Sequence, residues 1–296
     1  MRLAVTGKTG QVVTALLERG EAMGAEIVAL GRPEIDLGLD RSVLDALAGA
    51  SPDVIVSAAA YTAVDKAETE ADSAEAVNAR GPGLVSAAAA ALNVPVIHLS
   101  TDYVFDGSKP SPYVESDATG PLGVYGRTKL AGETAVAAAT PNHVILRTAW
   151  VYSPYGQNFL KTMLRLAADR PELRVVDDQR GNPTSALDIA DAVLVIARNL
   201  LDRPADAALR GVFHLAGTGE ASWADFATEI FAASAALGGP SAGVSRITTA
   251  DYPTPARRPA NSRLSTARLQ QVHGVTMPHW TTSTRSVVER LVGVTA

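Results

Sequence analysis

The first half of the chain alternates between short apolar runs and longer stretches in which small or apolar residues recur at helical spacing. The apolar runs predict β-strands, at residues 2–6, 26–30, 53–58, 96–100 and 142–152. Strands that alternate with helices are typical of a parallel sheet whose connections are right-handed crossovers. The pattern therefore predicts an α/β fold with a doubly wound parallel sheet.

The alternation becomes less regular after residue 152. Apolar periodicity still predicts some helices and strands, but loops rich in glycine, proline and polar residues separate them. The predicted segments are helices at 158–168, 188–201 and 222–237, strands at 173–176 and 211–216, a loop at 177–184, a linker at 238–243 and a proline-rich stretch at 252–264. We therefore expect a smaller, less regular C-terminal region beside the sheet.

Length and composition indicate a protein with a well-filled core. The chain has 296 residues, of which 47% are hydrophobic and 19% charged, enough for one large α/β domain or for such a domain with a smaller partner. The formal net charge of −5 argues against nucleic-acid binding, because that function requires a basic surface. We expect a small-molecule partner, and we leave the oligomeric state open, with a homodimer as one alternative.

Residue types that are missing narrow the chemistry further. The sequence has no cysteine, which excludes disulfides, thiolate nucleophiles and cysteine-based metal sites. The five histidines show no ligand spacing, and we interpret the acidic residues between Asp65 and Glu75 as the exposed side of a helix, so we expect no catalytic metal. With no secretory leader pattern and no apolar stretch of about 18 residues, we expect a cytoplasmic protein without a membrane segment.

A glycine turn follows the first predicted strand. Gly7 and Gly10 stand between that strand and a helical pattern, which is the context of a loop that binds the phosphates of a dinucleotide. Gly7 permits a tight turn, and Gly10 lets the backbone approach a pyrophosphate at the positive end of the helix. Val13 stands where a third glycine is usual, a position that serves helix packing. The predicted cofactor contacts are Gly7, Thr9, Gly10, Gln11 and Val12.

The end of the second predicted strand indicates which dinucleotide is bound. An enzyme specific for NAD normally has an acidic residue there to bond the ribose 2′-hydroxyl, whereas an arginine accommodates the 2′-phosphate of NADP. Arg32 therefore favours NADPH, with NADH as an alternative, and we assign Asp36 to the adenine or its ribose. The small residues Ala58, Ala59 and Ala60 follow the third predicted strand and suit a close approach of the cofactor to the backbone.

Tyr125 and Lys129 are four residues apart in a predicted helix, so their side chains lie on the same face. An ammonium beside a phenol favours the phenolate, and we expect Lys129 to lower the pKa of Tyr125 from its usual value of about 10. A tyrosine of this kind can deliver a proton. Thr101, at the carboxyl end of the fourth predicted strand, can donate a hydrogen bond to a carbonyl oxygen on which charge develops.

In combination, these motifs resemble the extended short-chain dehydrogenase/reductases and, more narrowly, the dTDP-4-dehydrorhamnose reductases. The resemblance covers essentially the whole chain, and Val13 is the clearest departure from the pattern. It rests on segments 59–68, 100–107, 125–133, 147–152, 178–184 and 257–264, which include Ser100-Thr-Asp-Tyr-Val-Phe and Tyr125-Gly-Arg-Thr-Lys.

The resemblance implies a Rossmann-like fold and an NADPH-preferring enzyme that reduces the C4 keto group of dTDP-4-dehydro-L-rhamnose to give dTDP-L-rhamnose. It implies that Tyr125 is the general acid, that Lys129 tunes it and bonds the nicotinamide ribose, and that Thr101 steadies the carbonyl oxygen. It also implies a dTDP-sugar site in which the arginines pair with the diphosphate. The residues assigned to that site are Thr62, Val64, Tyr103, Trp150, Arg257, Arg258 and Arg263.

On this basis we divide the chain into two parts. Residues 1–150 with about 183–216 are the predicted NAD(P)-binding Rossmann domain, and about 151–182 with 217–296 are the predicted substrate-binding region. Two other functions stay open: a reductase or epimerase of another nucleotide sugar, and a non-catalytic regulatory subunit of a methionine adenosyltransferase, which resembles this family. The intact threonine, tyrosine and lysine favour catalysis.

Overall fold

The computed structural model describes residues 1–37 and 43–293. The strands in these ranges are β1 (Arg2–Thr6), β2 (Glu26–Leu30), β3 (Val54–Ser57), β4 (Val96–Thr101), β5 (His143–Thr148), β6 (Val151–Tyr152), β7 (Glu172–Val176), β8 (Arg180–Gly181), β9 (Thr184–Ser185), β10 (Gly211–His214), β11 (Ala221–Ser222) and β12 (Gly243–Ile247). The α-helices are α1 (Gln11–Ala22), α2 (Val43–Gly49), α3 (Val64–Ala67), α4 (Ala71–Glu75), α5 (Gly81–Ala91), α6 (Val124–Ala139), α7 (Phe159–Ala167), α8 (Ala186–Asp202), α9 (Trp223–Ala236), α10 (Ala267–His273) and α11 (Trp280–Val292). A π-helical turn, Ala76–Arg80, joins α4 to α5.

A six-stranded parallel sheet lies at the centre, in the order β10-β5-β4-β3-β1-β2. The predicted doubly wound sheet is therefore confirmed. Strand order reverses at β1, because β2 lies on one side of it and β3 on the other. In open α/β sheets, ligands bind at such a reversal, outside the carboxyl ends of the strands. The loops that begin at Gly7 and Ala58 meet at this point.

Alternate residues of the strands face opposite sides of the sheet, and helices cover both sides. Leu3 and Val5 belong to an apolar cluster that includes α1 and α8. Ala4, between them, belongs to a second cluster that includes α2, α5 and α6. The strands read as continuous apolar runs because both of their faces are buried, as in β3, where all residues are buried.

The chain leaves the sheet after β5 and returns to it at β10, which pairs with β5. The segment between β5 and β10, together with the chain after β10, forms three two-stranded sheets, β6 with β9, β7 with β12 and β8 with β11. β12 begins at the last residue of the predicted linker, and we did not predict α10 or α11. The Thr- and Ser-rich sequence of α11 is a poor helix signal by itself; Trp280, Thr284 and Val288 are buried along one side of it, so tertiary packing stabilises the helix.

Within residues 1–37 and 43–293, no helix is suited to spanning a membrane. None of the helices there combines the length and the apolar character needed to cross a bilayer.

Candidate active site

The loop between β1 and α1 has the geometry expected of a phosphate-binding turn. Gly7 has φ +104°, a value that side chains disfavour, and its N–H donates to the carbonyl oxygen of Leu30 (2.6 Å). A Cβ atom on Gly7 would lie 3.3 Å from Cγ2 of Val13. Val13 is itself 2% exposed and packs in the core, so the prediction that this position serves packing is confirmed. Gly10 caps the N-terminus of α1 and is exposed.

The other predicted cofactor residues of this loop differ in their surroundings. Thr9 is exposed, and Val12 is partly buried against the core. The carbonyl oxygen of the Gln11 side chain accepts hydrogen bonds from Ser153 Oγ (2.7 Å) and Asn158 Nδ2 (3.0 Å). Gln11 therefore fastens the loop to the segment that follows β6, and Thr9 and Gly10 are left on the open side.

Two groups border this loop at the ends of neighbouring strands. The side chain of Arg32 is 81% exposed, with its Nε 3.8 Å from Oδ2 of Asp36. After β3, the hydroxyl of Thr6 accepts hydrogen bonds from the N–H groups of Ala58 and Ala59 (3.0 Å each), and Ala58 to Ala60 are partly exposed. The structure thus brings the two glycines, the alanines and the end of β2 together at the reversal of the sheet.

Thr101 and Tyr125 lie beside each other at the carboxyl end of β4. Thr101 is buried; its Oγ1 donates to Oδ1 of Asp102 (2.8 Å) and accepts from the N–H of Tyr103 (3.2 Å). The Thr101 hydroxyl also interacts with that of Tyr125. Burial raises the pKa of Asp102 to about 6, and the rings of Tyr103 and Tyr125 meet edge to face, 5.6 Å apart.

The expected lowering of the Tyr125 pKa is wrong for this structure. Burial, together with the negative charge of Asp102, raises the pKa of Tyr125 to about 12, against the opposing effect of the hydrogen bond with Thr101. The amine of Lys129 is directed elsewhere, to the carbonyl oxygen of Leu99 (2.6 Å). At neutral pH the Tyr125 hydroxyl therefore holds its proton, which is the form that a general acid requires.

Lys129 is 2% exposed and lies below Tyr125 on the same face of α6, as the spacing predicts. Besides Leu99, its Nζ contacts Nε2 of His98 (3.4 Å). Burial lowers the pKa of Lys129 to about 8, while the charge of Glu133 opposes this effect. Lys129 is thus a cation at neutral pH whose charge is lost within reach of ordinary assay conditions.

Contacts at its N-terminus hold α6 in place. Oε1 of Glu68 accepts a hydrogen bond from the N–H of Val124 (2.8 Å), the first residue of α6. A Cβ atom on Gly126 would lie 2.2 Å from the carbonyl oxygen of Tyr103, so only glycine permits this approach. The buried Asn78, on the π-helical turn, donates to Oγ1 of Thr128 (3.2 Å). Tyr125 therefore stands on a firmly positioned first turn.

A buried ion pair supports the same helix from beneath. Glu133 forms a bidentate pair with Arg147 of β5 (2.9 and 2.7 Å) and accepts a hydrogen bond from Ser100 Oγ (2.5 Å). Both side chains of the pair are 6% exposed. Tyr125, Lys129 and Glu133 follow one another at intervals of four, so α6 presents its chemistry to the sheet along one side.

Some of the predicted substrate residues gather around Tyr103. Nη2 of Arg258 lies 2.8 Å from Oδ2 of Asp65, and the guanidinium also interacts with Tyr103. Val64, next to Asp65, is partly buried and Thr62 is exposed. The structure therefore brings the loop after β3, Tyr103 and the proline-rich segment together beside Tyr125.

Trp150, which follows the end of β5, is the other aromatic residue predicted for the substrate site. Its backbone is left-handed (φ +48°), which is strained for a large residue. Its indole stacks on that of Trp223 with centroids 3.6 Å apart and planes 6° apart. A Cβ atom on Gly181 would lie 2.4 Å from the Trp150 ring. The indole is thus clamped on both sides.

Arg257 and Arg263, the other two predicted arginines, are placed differently from Arg258. Arg257 is exposed. Arg263 directs its guanidinium to Oδ1 of Asn261 (2.8 Å), Oε2 of Glu220 (2.6 Å) and the carbonyl oxygen of Pro110. Its donors are thus used to hold the C-terminal segment, and a role in binding the diphosphate stays a prediction for all three. No three histidine, aspartate or glutamate side chains group as metal ligands in the part of the chain that the structure describes.

Comparisons with known proteins show the family of this chain. The family described as "RmlD substrate binding domain" matches residues 1–292. A dTDP-4-dehydrorhamnose reductase of Sinorhizobium fredii is 57% identical over 99% of this chain and 98% of its own. The chain belongs to the dTDP-4-dehydrorhamnose reductase family.

Solved structures of the reductase family have the same fold. The dTDP-4-dehydrorhamnose reductase of Clostridium acetobutylicum superimposes with a TM-score of 0.89 at 36% identity, covering 98% of this chain and 99% of that one. The Bacillus anthracis reductase, solved in complex with NADP, gives a TM-score of 0.88 at 31% identity, covering 100% and 99%. The predicted Rossmann-like fold is confirmed.

Sequence reasoning missed several residues that this member of the reductase family uses to build its site. Asp65 and Glu68, interpreted as an exposed acidic surface, instead bind Arg258 and the start of α6. The role of Glu133 could have been predicted from the sequence. Glu133 lies four residues after Lys129 and eight after Tyr125, and so on the same side of α6. The roles of Asp65 and Glu68 carry no local signal, since their partners are 193 and 56 residues away.

Proposed function

We propose that this protein reduces the C4 keto group of dTDP-4-dehydro-L-rhamnose with NADPH and forms dTDP-L-rhamnose. The observation that carries the proposal is the convergence of Thr101, Tyr125 and Lys129 at the carboxyl end of β4. Relatives named for this activity, at up to 57% identity, support it. A 4-keto nucleotide sugar is the small-molecule partner in this proposal.

The residues present fit a dinucleotide. The turn at Gly7 with positive φ, the exposed start of α1 at Gly10 and the small side chains at 58–60 leave backbone exposed where the sheet order reverses. Gly7, Thr9 and Gly10 would hold the pyrophosphate, and Ala58 to Ala60 would border the cofactor. Arg32, exposed at the end of β2, supports NADPH over NADH, because it would neutralise the 2′-phosphate.

NADPH, when bound, supplies the hydride that adds to the C4 carbonyl carbon. As the C=O π bond breaks, its electron pair goes to the oxygen, and the Tyr125 hydroxyl gives its proton to that oxygen, so the product carries a C4–OH. Thr101 turns its hydroxyl from Asp102 toward the same oxygen and donates a hydrogen bond. Lys129 uses its remaining N–H to bond the nicotinamide ribose. The Tyr125 phenolate then regains a proton from solvent.

The sugar nucleotide would lie between two walls. Tyr103 and the Thr62–Val64 loop border Tyr125 on one side, and the partly exposed edge of Trp150 would border the sugar on the other. Arg258, and Arg257 beside it, would bind the diphosphate. In this arrangement residues 1–150 with about 183–216 bind the cofactor, and about 151–182 with 217–296 contribute to substrate binding; the last three of these lie outside the described residues.

The decisive assay mixes purified protein with NADPH and dTDP-4-dehydro-L-rhamnose and follows the loss of NADPH absorbance. We expect turnover, with NADPH preferred to NADH in kcat/KM. Turnover only with a different 4-keto nucleotide sugar would point to a reductase of that sugar. No NADPH turnover, together with capture of a methionine adenosyltransferase from native extract, would contradict the proposal and support the regulatory-subunit alternative.

A further inference from the structure

His98 is a buried, titratable residue that the proposed mechanism does not use. It lies in the middle of β4, is 0% exposed, and places its ring between Ser57 of β3 and Lys129 of α6. Its Nε2 is 3.4 Å from the Lys129 amine, and its Nδ1 is 3.1 Å from Ser57 Oγ. A fully buried polar ring inside the central sheet requires a reason.

The chemistry of the neighbours decides which nitrogen of the ring carries the proton. A lysine ammonium has three N–H donors and no acceptor, so Nε2 of His98 must be the acceptor in that contact. The proton of the neutral ring is then on Nδ1, where it donates to Ser57. Hydrogen bonding at one nitrogen thus fixes the role of the other.

The same surroundings keep His98 neutral. Burial and the positive charge of Lys129 hold its pKa well below the usual value, against the opposing hydrogen bond with the Ser57 backbone. Protonation would remove the acceptor and place two cations side by side. Ser57, Lys129 and, through Lys129, the carboxylate of Glu133 are the groups that set this balance.

We propose that His98 is a positioning residue for Lys129. Its Nε2 and the carbonyl oxygen of Leu99 accept two of the three ammonium N–H groups, which leaves the third directed to the site, where it binds the cofactor ribose. The ribose contact rests on the proposed function. Without His98 the amine keeps only one fixed partner, and its third N–H no longer has a single direction.

The tautomer can be tested on the unmodified protein. In ¹⁵N spectra of the histidine-labelled chain at neutral pH, we expect the His98 ring to be neutral with its proton on Nδ1, the minority tautomer of the free histidine side chain. Comparison with His98→Gln assigns the signal. A His98 ring protonated on Nε2, or on both nitrogens, would overturn the proposal, because Nε2 could not accept from Lys129.

Substitutions test the consequence for binding. Phe at position 98 keeps a planar ring without the acceptor, whereas Gln places an acceptor amide oxygen near the position of Nε2. We expect His98→Phe to weaken NADPH binding, measured by fluorescence titration, by about tenfold, the effect of losing one hydrogen bond to a charged group, and to lower kcat. His98→Gln should bind NADPH within about threefold of the parent.

His143→Phe is the matched control, because His143 is a partly buried histidine at the start of the neighbouring strand β5. It should bind NADPH as the parent does. If His98→Phe also binds as the parent does, or if His98→Gln is as weak as His98→Phe, His98 does not position Lys129. These outcomes are separate from failure of the proposed function, because cofactor affinity and the tautomer are measured without any sugar substrate.

Discussion

At the scale of single residues, the site depends on the protonation states of two side chains, Tyr125 and Lys129. Tyr125, which is partly buried, keeps its proton because desolvation and the nearby carboxylate of Asp102 disfavour the phenolate, and Lys129 keeps its charge although burial makes that charge less stable. The tyrosine is therefore an acid in the resting protein, and the lysine is a positioned cation. The two residues contribute separately, which their spacing alone does not reveal.

Removing the Tyr125 hydroxyl should stop proton delivery without harming cofactor binding. We expect Tyr125→Phe to lower kcat by about a hundredfold or more, the scale for loss of a positioned acid, with the NADPH Kd nearly unchanged. Steady-state kinetics and fluorescence titration measure the two effects. Tyr61→Phe is the control, since the Tyr61 hydroxyl binds Glu70 (2.6 Å) outside the reaction centre. An unchanged kcat in Tyr125→Phe would end the proposed role.

The lowered pKa of Lys129 predicts how activity depends on pH. The ammonium is present below about pH 8 and is lost as the pH rises through that value, so kcat/KM for NADPH reduction of the sugar should be level below it and fall above it. A pH–rate profile of the parent protein measures this fall in kcat/KM. In Lys129→Arg the side chain stays charged, so the activity that remains should not fall as the pH rises. A fall in kcat/KM that persists in this variant would come from another titrating group.

At the scale of elements, α6 is the part whose position determines the site. Its start is fixed by Glu68 and its underside by the Glu133–Arg147 pair, so the first two turns cannot shift independently of β4 and β5. The helix and its face could be predicted from local periodicity. The residues that hold it could not, because hydrogen bonds to distant partners leave no periodic pattern in the sequence.

Loss of the cap on α6 should cost a modest amount of stability. Glu68→Ala removes both the acceptor for the Val124 N–H and a negative charge at the positive end of the helix, so we expect the free energy of unfolding to fall by about 1 kcal/mol. Glu68→Gln keeps an acceptor and should lose less. Urea unfolding measures both, with the exposed Glu75→Ala as control. Equal stability of Glu68→Ala and parent would mean that the contact contributes nothing.

Breaking the buried pair should cost more. Glu133→Gln leaves the Arg147 charge without its counter-charge in the core, and we expect a loss of about 3 kcal/mol in the free energy of unfolding. The same substitution at Glu26, in an exposed pair with Arg2, should change it by less than about 1 kcal/mol. If the two variants unfolded at the same urea concentration, burial of the pair would have no energetic importance.

At the scale of the whole molecule, the sequence predicted the parallel sheet well because each buried strand and each helix has its own local period. In the C-terminal part it also predicted α7, α8, α9, β7 and β10, to within two residues of their bounds. Among the elements that it missed, β8 and β9 have two residues each, too few to show a period, and the Thr- and Ser-rich α11 depends on packing against α9. The contact of Arg258 with Asp65, which closes the proline-rich segment over the site, spans 193 residues.

Cofactor binding should stabilise the molecule as a unit, since the cofactor contacts proposed here lie on the central sheet to which both parts of the chain attach. At a hundredfold excess over its Kd, NADPH should add about 2.7 kcal/mol and raise Tm in one cooperative transition. Arg32→Ala should reduce the shift given by a fixed concentration of NADPH but not that given by NADH. Differential scanning calorimetry tests this; equal losses for both nucleotides would remove Arg32 from the choice of cofactor.

The return of the chain at β10 has a consequence for how this fold can be divided. The edge of β5 is completed by a strand that comes from beyond residue 210, and the face of α1 is covered by α8. Cleavage at any single bond between β5 and α8 would give two fragments, the first with a bare sheet edge and an uncovered apolar helix face, and we expect neither to fold by itself. Recombination that exchanges the cofactor half between relatives must therefore take two separate stretches of the gene together.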